Sequence, residues 1–254
     1  MTDWLLSTLW YGSFAALIVA AVAVIRPMRW LRLPTRRRAA AAVLLTLLLI
    51  TGTARCGPRT EMVSLPQTSL DAVAPSYQFR EKHSVTIEAN PSSVMRAVKT
   101  VSADEIALFQ SFIAIRRFGR SGPESILNAP ARQPIVEVAT RTSFVLLADE
   151  AHEIVLGSVL SAPDLSIRAR VRDAQAFRSL LGPGVIKAAI NFRIDSATHR
   201  ETRLTTETRV FCTDADAVGR FTPYWRTIFP GSWILRVTWL RAIARRAEAE
   251  MSSL

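Results

Sequence analysis

Glu81 and His83 stand two residues apart in the segment QFREKHSVTIEA, and an acid beside an imidazole is a pair that can pass a proton or orient a polar ligand. The segment alternates. Arg80, Lys82, Ser84 and Thr86 fall on one face and Phe79, Val85 and Ile87 on the other, the period of a half-buried strand. Glu81 and His83 share parity with the apolar set. Buried alone, either group would be costly. Two readings therefore stand: a functional pair, or polar groups that satisfy each other or reach solvent at the strand end. Glu207 and Arg209 read as members of a cross-strand ion pair. His152 and His199 lie near Glu153, Asp195 and Glu201 without metal-ligand spacing, so no metal site is expected. The chain has no Gly-x-Ser-x-Gly elbow, phosphate-binding loop or Gly-x-Gly-x-x-Gly fingerprint, and no cofactor is expected.

The elements that must hold this pair follow in order. Asn90 or Ser92 caps a helix with Pro91 in its first turn, where a missing N–H costs no intrahelical bond. Ser102 and Glu105 form a capping-box pattern that opens a second helix through Ile106, Phe109, Phe112 and Ile113. Residues 119–134 read as a long loop. PIVEVATR, SFVLLAD and HEIVLGSVL read as short strands, and Leu165, Ile167, Ala169 and Val171 alternate with Arg168, Arg170 and Arg172. After a Gly182-Pro183-Gly184 turn, Ile186, Ala188, Ile190, Phe192 and Ile194 alternate with polar residues. Leu204, Thr206, Thr208, Val210 and Cys212 do the same in the next segment. These are neighbouring antiparallel strands. From Asp214 the period is helical, with Phe221, Tyr224, Trp225 and Ile228 on one stripe. Pro230-Gly231 interrupts it, and Ser232 recaps a second helix along Trp233, Val237, Leu240 and Ala244.

Before all this come two apolar stretches, residues 4–25 and 39–54, separated by an arginine-rich loop with Arg26, Arg29, Arg32, Arg36, Arg37 and Arg38. The first has about the ~20 uncharged residues that a membrane-spanning helix needs; the second is at the short end of that range. Trp4, Trp10 and Tyr11 suit an interfacial aromatic belt at one end of the first helix, and Trp30 the other. A competing reading starts translation at Met28 and makes the second stretch a cleaved signal. Both readings put the arginines in the cytoplasm and the C-terminal part outside it, because loops rich in Lys and Arg stay inside.

The net charge of +11 does not point to nucleic acid. Up to Arg59 the chain holds eight arginines and one acid; from Thr60 onward it holds 24 bases and 20 acids. The basic excess is chiefly a membrane-orientation signal. Two cysteines, Cys56 and Cys212, exclude a disulfide scaffold, and Cys212 in an apolar strand reads as a small buried hydrophobe. The expected organisation is a membrane hairpin over 1–56, a linker over 57–77 with no sustained period, and one folded domain over 78–254.

The order strand, two helices, a run of strands and a long terminal helix, with EKHSVTIEANPSSVMRAV at its start, resembles the helix-grip fold of the START-like (SRPBCC) superfamily. Its members include lipid-transfer, polyketide cyclase-like and plant pathogenesis-related proteins. The segment TTETRVFCTDADAVGRFTPYWRTIFPGSWILRVTWLRAIARRAE is similar to the closing strand and terminal helix of uncharacterised bacterial members. The resemblance spans residues 78–248 apart from the 119–134 loop. It implies an α+β fold in which a curved antiparallel sheet wraps a long C-terminal helix, here preceded by a transmembrane hairpin that the simplest soluble members lack. Such a fold implies an apolar gap between sheet and helix, the default ligand site. Phe79, Val85, Ile87, Ile190, Phe192, Thr206 and Thr208 would line it and Phe221, Tyr224 and Trp225 would close it; the alternative is that these side chains simply fill the core. The superfamily has no shared catalytic motif, so no site residue is carried over from it. Three functions are consistent with this: a membrane-anchored extracytoplasmic domain binding a hydrophobic small molecule or lipid, a cyclase- or hydrolase-type enzyme using Glu81 or His83, and a non-catalytic envelope module with a filled core.

Overall fold

The computed structural model describes residues 2–28, 33–109, 111, 129–162, 164–167 and 171–252. Arg29, Trp30, Arg32, Phe112, Ile113, Arg168, Ala169, Arg170 and most of the 119–134 loop lie outside those residues. The chain divides into two compact units, Met1–Pro58 with Val218–Pro230, and Arg59–Ala217 with Gly231–Leu254.

The first unit is built on α1 (Thr2–Ile25) and α2 (Arg36–Arg55), and both are long and apolar enough to cross a membrane. Thr35 caps α2, its hydroxyl accepting from the Arg38 N–H, so Arg36, Arg37 and Arg38 form the first turn of the helix rather than loop. Buried Ala20, Ala23 and Ala39 allow close helix approach, and the hydroxyls of Ser13, Thr46 and Thr53 bond back to carbonyls a turn earlier. The 218–230 segment joins this unit. Trp10 Nε1 donates to Thr227 Oγ1 at 3.1 Å, the Tyr11 hydroxyl donates to the Thr227 carbonyl, and Arg226 Nη2 donates to the Cys56 carbonyl at 2.6 Å.

The second unit is an α+β domain around a five-stranded antiparallel sheet in the order β3-β7-β6-β5-β4. The strands are β3 (Phe79–Ile87), β4 (Val145–Asp149), β5 (Glu153–Ser161), β6 (Val185–Ala197) and β7 (Thr202–Cys212). One face packs on α4 (Pro91–Thr100), α5 (Ile135–Thr142) and the second half of α7 (Ala215–Ser252). Ile87, Ile154, Leu156, Ile190, Phe192 and Leu204 from the strands share a core with Val94, Val98, Ile135, Trp239 and Ile243. Asn90 is the cap of α4, its side chain accepting from the Ser93 N–H at 2.9 Å.

Four local expectations change. PIVEVATR is helix α5, not a strand: Ile135, Val136, Val138 and Ala139 are all buried, the i, i+1, i+3, i+4 spacing of one helix face, in a run short and β-branched enough to read as a strand. The Ser102–Glu105 hydrogen bonds form, but residues 103–108 make turns and a bend, with Leu108 left-handed at φ 63°, so helix starts only at Phe109 and not at Ser102; Phe112 and Ile113 lie outside the described residues. Among the described residues, the alternation around Leu165 gives an isolated bridge from Leu160 to Ile167; Arg168, Ala169 and Arg170 lie outside them. The terminal helix α7 runs unbroken through Pro223 and Pro230, although proline inside a helix costs about 3 kcal/mol.

The fifth change concerns the opposite face of the sheet, which the sequence presents as polar. It is covered too. Residues 57–77, expected as a linker, carry β1 (Glu61–Met62), α3 (Ser69–Val73) and β2 (Ser76–Tyr77). Leu70 and Val73 join Leu147, Val155, Val159, Phe177 and Ala189 in a second core, Phe177 coming from α6 (Ala174–Ser179). Elements of two to five residues are too short to leave a period, which is why this cover reads as tether. Close packing here needs Gly157: a Cβ at that position would meet Leu147 Cδ1 at 2.5 Å and Phe177 Cε2 at 2.9 Å.

The cover is fixed by buried charge. Glu153 accepts from the Ser69 N–H at 2.7 Å and from Asn191 Nδ2 at 2.6 Å. Arg80 grips Glu207 through Nε and Nη2, and Arg209 Nε donates to Glu207 at 2.7 Å. Arg209 then reaches across to Asp71 at 2.7 Å and to the Ala74 carbonyl at 3.1 Å, under the Tyr77 ring. Burial pushes the Glu207 carboxyl up, but bonds from Arg80 and Arg209 outweigh it and hold it below its ordinary value. For Asp71 burial likewise pushes up, and the Gln67 N–H, Arg209 and Thr68 together pull it below the usual range. Both groups therefore contribute stability above the unfolded carboxylate pKa of about 4 that is lost as pH falls through their lower folded values. Removing one member of such a buried pair costs about 3–5 kcal/mol. Arg209→Ala is expected to lose that much in urea unfolding at pH 7 and to show a flatter stability profile below about pH 4 than the parent. An Arg209→Ala chain as stable as the parent would show that the cover is held by apolar contact alone.

Candidate functional site

Strand register brings the predicted residues into rows on the inner face. Glu81 pairs with Thr208, which pairs with Ile190; His83 pairs with Thr206, which pairs with Phe192. The alternation that makes β3 a strand therefore points Glu81 and His83 at the same side as Phe79, Val85 and Ile87, as the sequence implies. Both are shielded: the Glu81 side chain is 2% exposed and that of His83 10%.

They satisfy each other. His83 Nε2 and Glu81 Oε1 lie 2.8 Å apart, and the second carboxylate oxygen, Oε2, accepts from the Ser232 hydroxyl at 2.7 Å. Ser232 begins the part of α7 that packs on this domain, and the next residue, Trp233, meets the His83 ring edge-on at 5.7 Å between centroids. One turn further, burial lowers the Arg236 guanidinium from its ordinary value while the Glu81 carboxylate opposes the shift. Arg236 stacks over Trp239 at 5.6 Å, and Trp239 leans on Phe192 at 5.1 Å.

Two donors in this cluster are buried and without a hydrogen-bond partner: Arg236 Nη1 and Trp239 Nε1. Orphaned buried donors are rare in folded proteins and mark strain, water or a ligand. The connectivity limits the chemistry. In a nucleophilic relay the imidazole stands between hydroxyl and carboxylate. Here the carboxylate stands between hydroxyl and imidazole, so Ser232 is not activated by His83. The arrangement suits holding a proton on the Glu81–His83 pair, or presenting donors to an acceptor group.

The remaining predicted residues separate into two sets. Phe79, Ile87, Ile190, Phe192 and Thr206 are buried on the inner face; Val85 and Thr208 are partly buried there. Thr206 donates to the Asn191 carbonyl at 2.7 Å and is occupied by the sheet itself. Phe221, Tyr224 and Trp225, expected to close the gap, belong instead to the unit of α1 and α2, where they stack among themselves and on Phe229. The reason lies in the uninterrupted helix, whose stripe before Pro230 is assigned to one unit and whose stripe after it to the other. The sequence presents Ser232 as a helix cap and Arg236 as an outward-facing base; in the structure Ser232 lies inside the unbroken helix and bonds Glu81, and the Arg236 guanidinium is buried. Their one signal as site residues is the repeat Ser232, Arg236, Trp239 at helical spacing, a polar stripe with no obvious solvent side. No group of three or more His, Cys, Asp or Glu side chains able to hold a metal occurs among the described residues.

No family model matches the chain, and no curated protein matches it. It is similar to the crystal structure of the Zhui aromatase/cyclase from Streptomyces sp. R1128, at 16% identity, over 68% of this chain and 95% of that one, with a TM-score of 0.28. So loose a superposition carries no residue from one protein to the other.

Glu81→Ala strips the acceptor from Ser232 and His83 and the nearby negative charge from Arg236; it is expected to cost about 3–5 kcal/mol in urea unfolding, whereas Glu81→Gln, which keeps a carbonyl oxygen, costs less. Equal losses would mean that the carboxylate charge is not what the cluster is built around.

Proposed function

We propose that this protein is a membrane-anchored domain of helix-grip type, held outside the cytoplasm, that binds a hydrophobic small molecule or lipid through an acceptor-bearing head group. The observation that carries this reading is the pair of unsatisfied buried donors, Arg236 Nη1 and Trp239 Nε1, beside the Glu81–His83–Ser232 cluster on an otherwise apolar face. A ligand oxygen there would relieve a desolvation penalty of about 1–3 kcal/mol per donor. The apolar remainder would lie along the inner face of the sheet. Two helices long and apolar enough to span a bilayer support the anchor, and the six arginines from Arg26 to Arg38 support the sidedness.

A second reading, an acid–base enzyme of cyclase or hydrolase type, is favoured by the 2.8 Å Glu81–His83 contact. A third, a filled and non-catalytic envelope module, is favoured by the burial of Ile87, Phe192 and Ile243 in one core.

Native mass spectrometry of the full chain in lipid nanodiscs separates them. Under the leading reading a ligand adduct accompanies the parent and is weakened about 10- to 100-fold in Arg236→Gln, the worth of a charged hydrogen bond, with the far-ultraviolet dichroism unchanged. An adduct identical in both chains, or none in either, would sink it. Sidedness has its own test. Cys56 is exposed, while burial pushes the Cys212 thiol up to about 12 and leaves it unreactive. A membrane-impermeant maleimide added to intact cells is expected to label Cys56 alone. Labelling only after lysis would place this end of α2 in the cytoplasm.

A further inference from the structure

We infer that the outer face of the sheet carries a binding pocket for a small amphipathic carboxylate, with Lys187 as its counter-charge and Phe177 and Phe211 as its walls. This pocket is independent of the inner cluster and stands on the opposite side of β6.

A cavity of about 210 Å³ opens there between α6 and the end of the cover, lined by Phe177, Arg178, Leu181, Lys187, Arg209 and Phe211 with the chain from Val73 to Ser76. The Lys187 ammonium lies 5.6 Å from the Phe177 ring centre and 5.5 Å from that of Phe211. It donates to the Phe177 carbonyl at 3.3 Å and the Arg178 carbonyl at 3.0 Å, at the last turn of α6. An ammonium has three donors, so one remains.

What sets this lysine apart is that, among the described residues, no anion faces it. The chain has three lysines. Lys82 faces Glu207 at 3.8 Å and Lys99 faces Asp149 at 2.6 Å. Among the described residues neither Lys187 nor Arg178 pairs with a carboxylate. Arg209, the third cation in the lining, is already committed to Glu207, Asp71 and the Ala74 carbonyl. The site thus holds two uncompensated cations against aromatic and aliphatic walls, and burial pulls the Lys187 amine below its ordinary value. A carboxylate restores the field that Lys187 lost on leaving water, and an apolar body covers Phe177, Leu181 and Phe211. A neutral molecule of the same shape offers only the second gain.

The probe is 4-fluorobenzoate, followed by fluorine NMR with the full chain in phosphatidylcholine nanodiscs. The parent is expected to broaden and shift the probe signal, with 4-fluorobenzyl alcohol showing only the bilayer effect. Lys187→Met is expected to weaken binding about 10- to 100-fold, the range for a hydrogen bond to a charged group. Lys82→Met and Lys99→Met are expected to leave it unchanged. Should Lys187→Met fail to fold by dichroism, the exposed Arg178→Gln is expected to weaken binding by up to about fivefold, as loss of an exposed charge allows. Probe signals that are the same for parent and Lys187→Met, or that report the bilayer alone in the parent, would overturn the assignment.

Discussion

The Arg209 guanidinium is the joint on which the globular domain depends. It lies on β7, between a strand neighbour's carboxylate and the acid of a short helix far away in sequence, and it also supplies the donor for a loop carbonyl. Because the charge is buried, all three bonds are obligatory. With them in place the chain after α2 is drawn onto the sheet, and a second core forms on its outer face behind β5 and β6. The inner face then has to satisfy its own buried charges internally, which is what Glu81, His83 and Ser232 do, and the outer face acquires a wall for its cavity.

Two buried carboxylates sit on opposite faces of neighbouring strands, and their surroundings differ in kind. Glu207 is gripped by two guanidinium groups and every partner is within the protein. Glu81 has a hydroxyl and an imidazole as close partners, with the guanidinium of Arg236 near enough to act through its field and still holding an unused donor. Closed networks of the first kind stabilise or specify a fold. An open one is where a ligand finds a gain that the protein has not already taken. The uneven satisfaction of the two clusters, rather than the presence of charge, distinguishes the candidate site from its structural counterpart.

Much of this was legible from residue order. The period of two in Phe79–Ile87 put Glu81 and His83 on the apolar side, and the clean alternation of Ile186–Ile194 and Leu204–Cys212 identified the two central strands. Long period-2 or hydrophobic runs survive tertiary packing because burial selects them directly. Short elements do not announce themselves. The cover of residues 61–77 has no period to read, and α5 holds β-branched residues that a strand would also accept. The site partners on α7 were hidden for another reason. Pro230-Gly231 is a strong stop signal in isolation, and reading a break there separated Ser232 and Arg236 from any register relative to the preceding stripe. Phe221, Tyr224 and Trp225, expected to close the gap, fall instead in the unit of α1 and α2 and stack on one another and on Phe229.

Gly157 links the back of the sheet to the shape of the Lys187 cavity. The missing side chain is the space into which the Phe177 ring and Leu147 settle; a Cβ added there would meet both closer than real Cβ atoms come to a neighbour. Phe177 is at the same time one wall around the lysine. A single methyl added in the middle of β5 would thus be felt, through one ring, as a change of bore, making the glycine a tuning peg for a hollow it does not line.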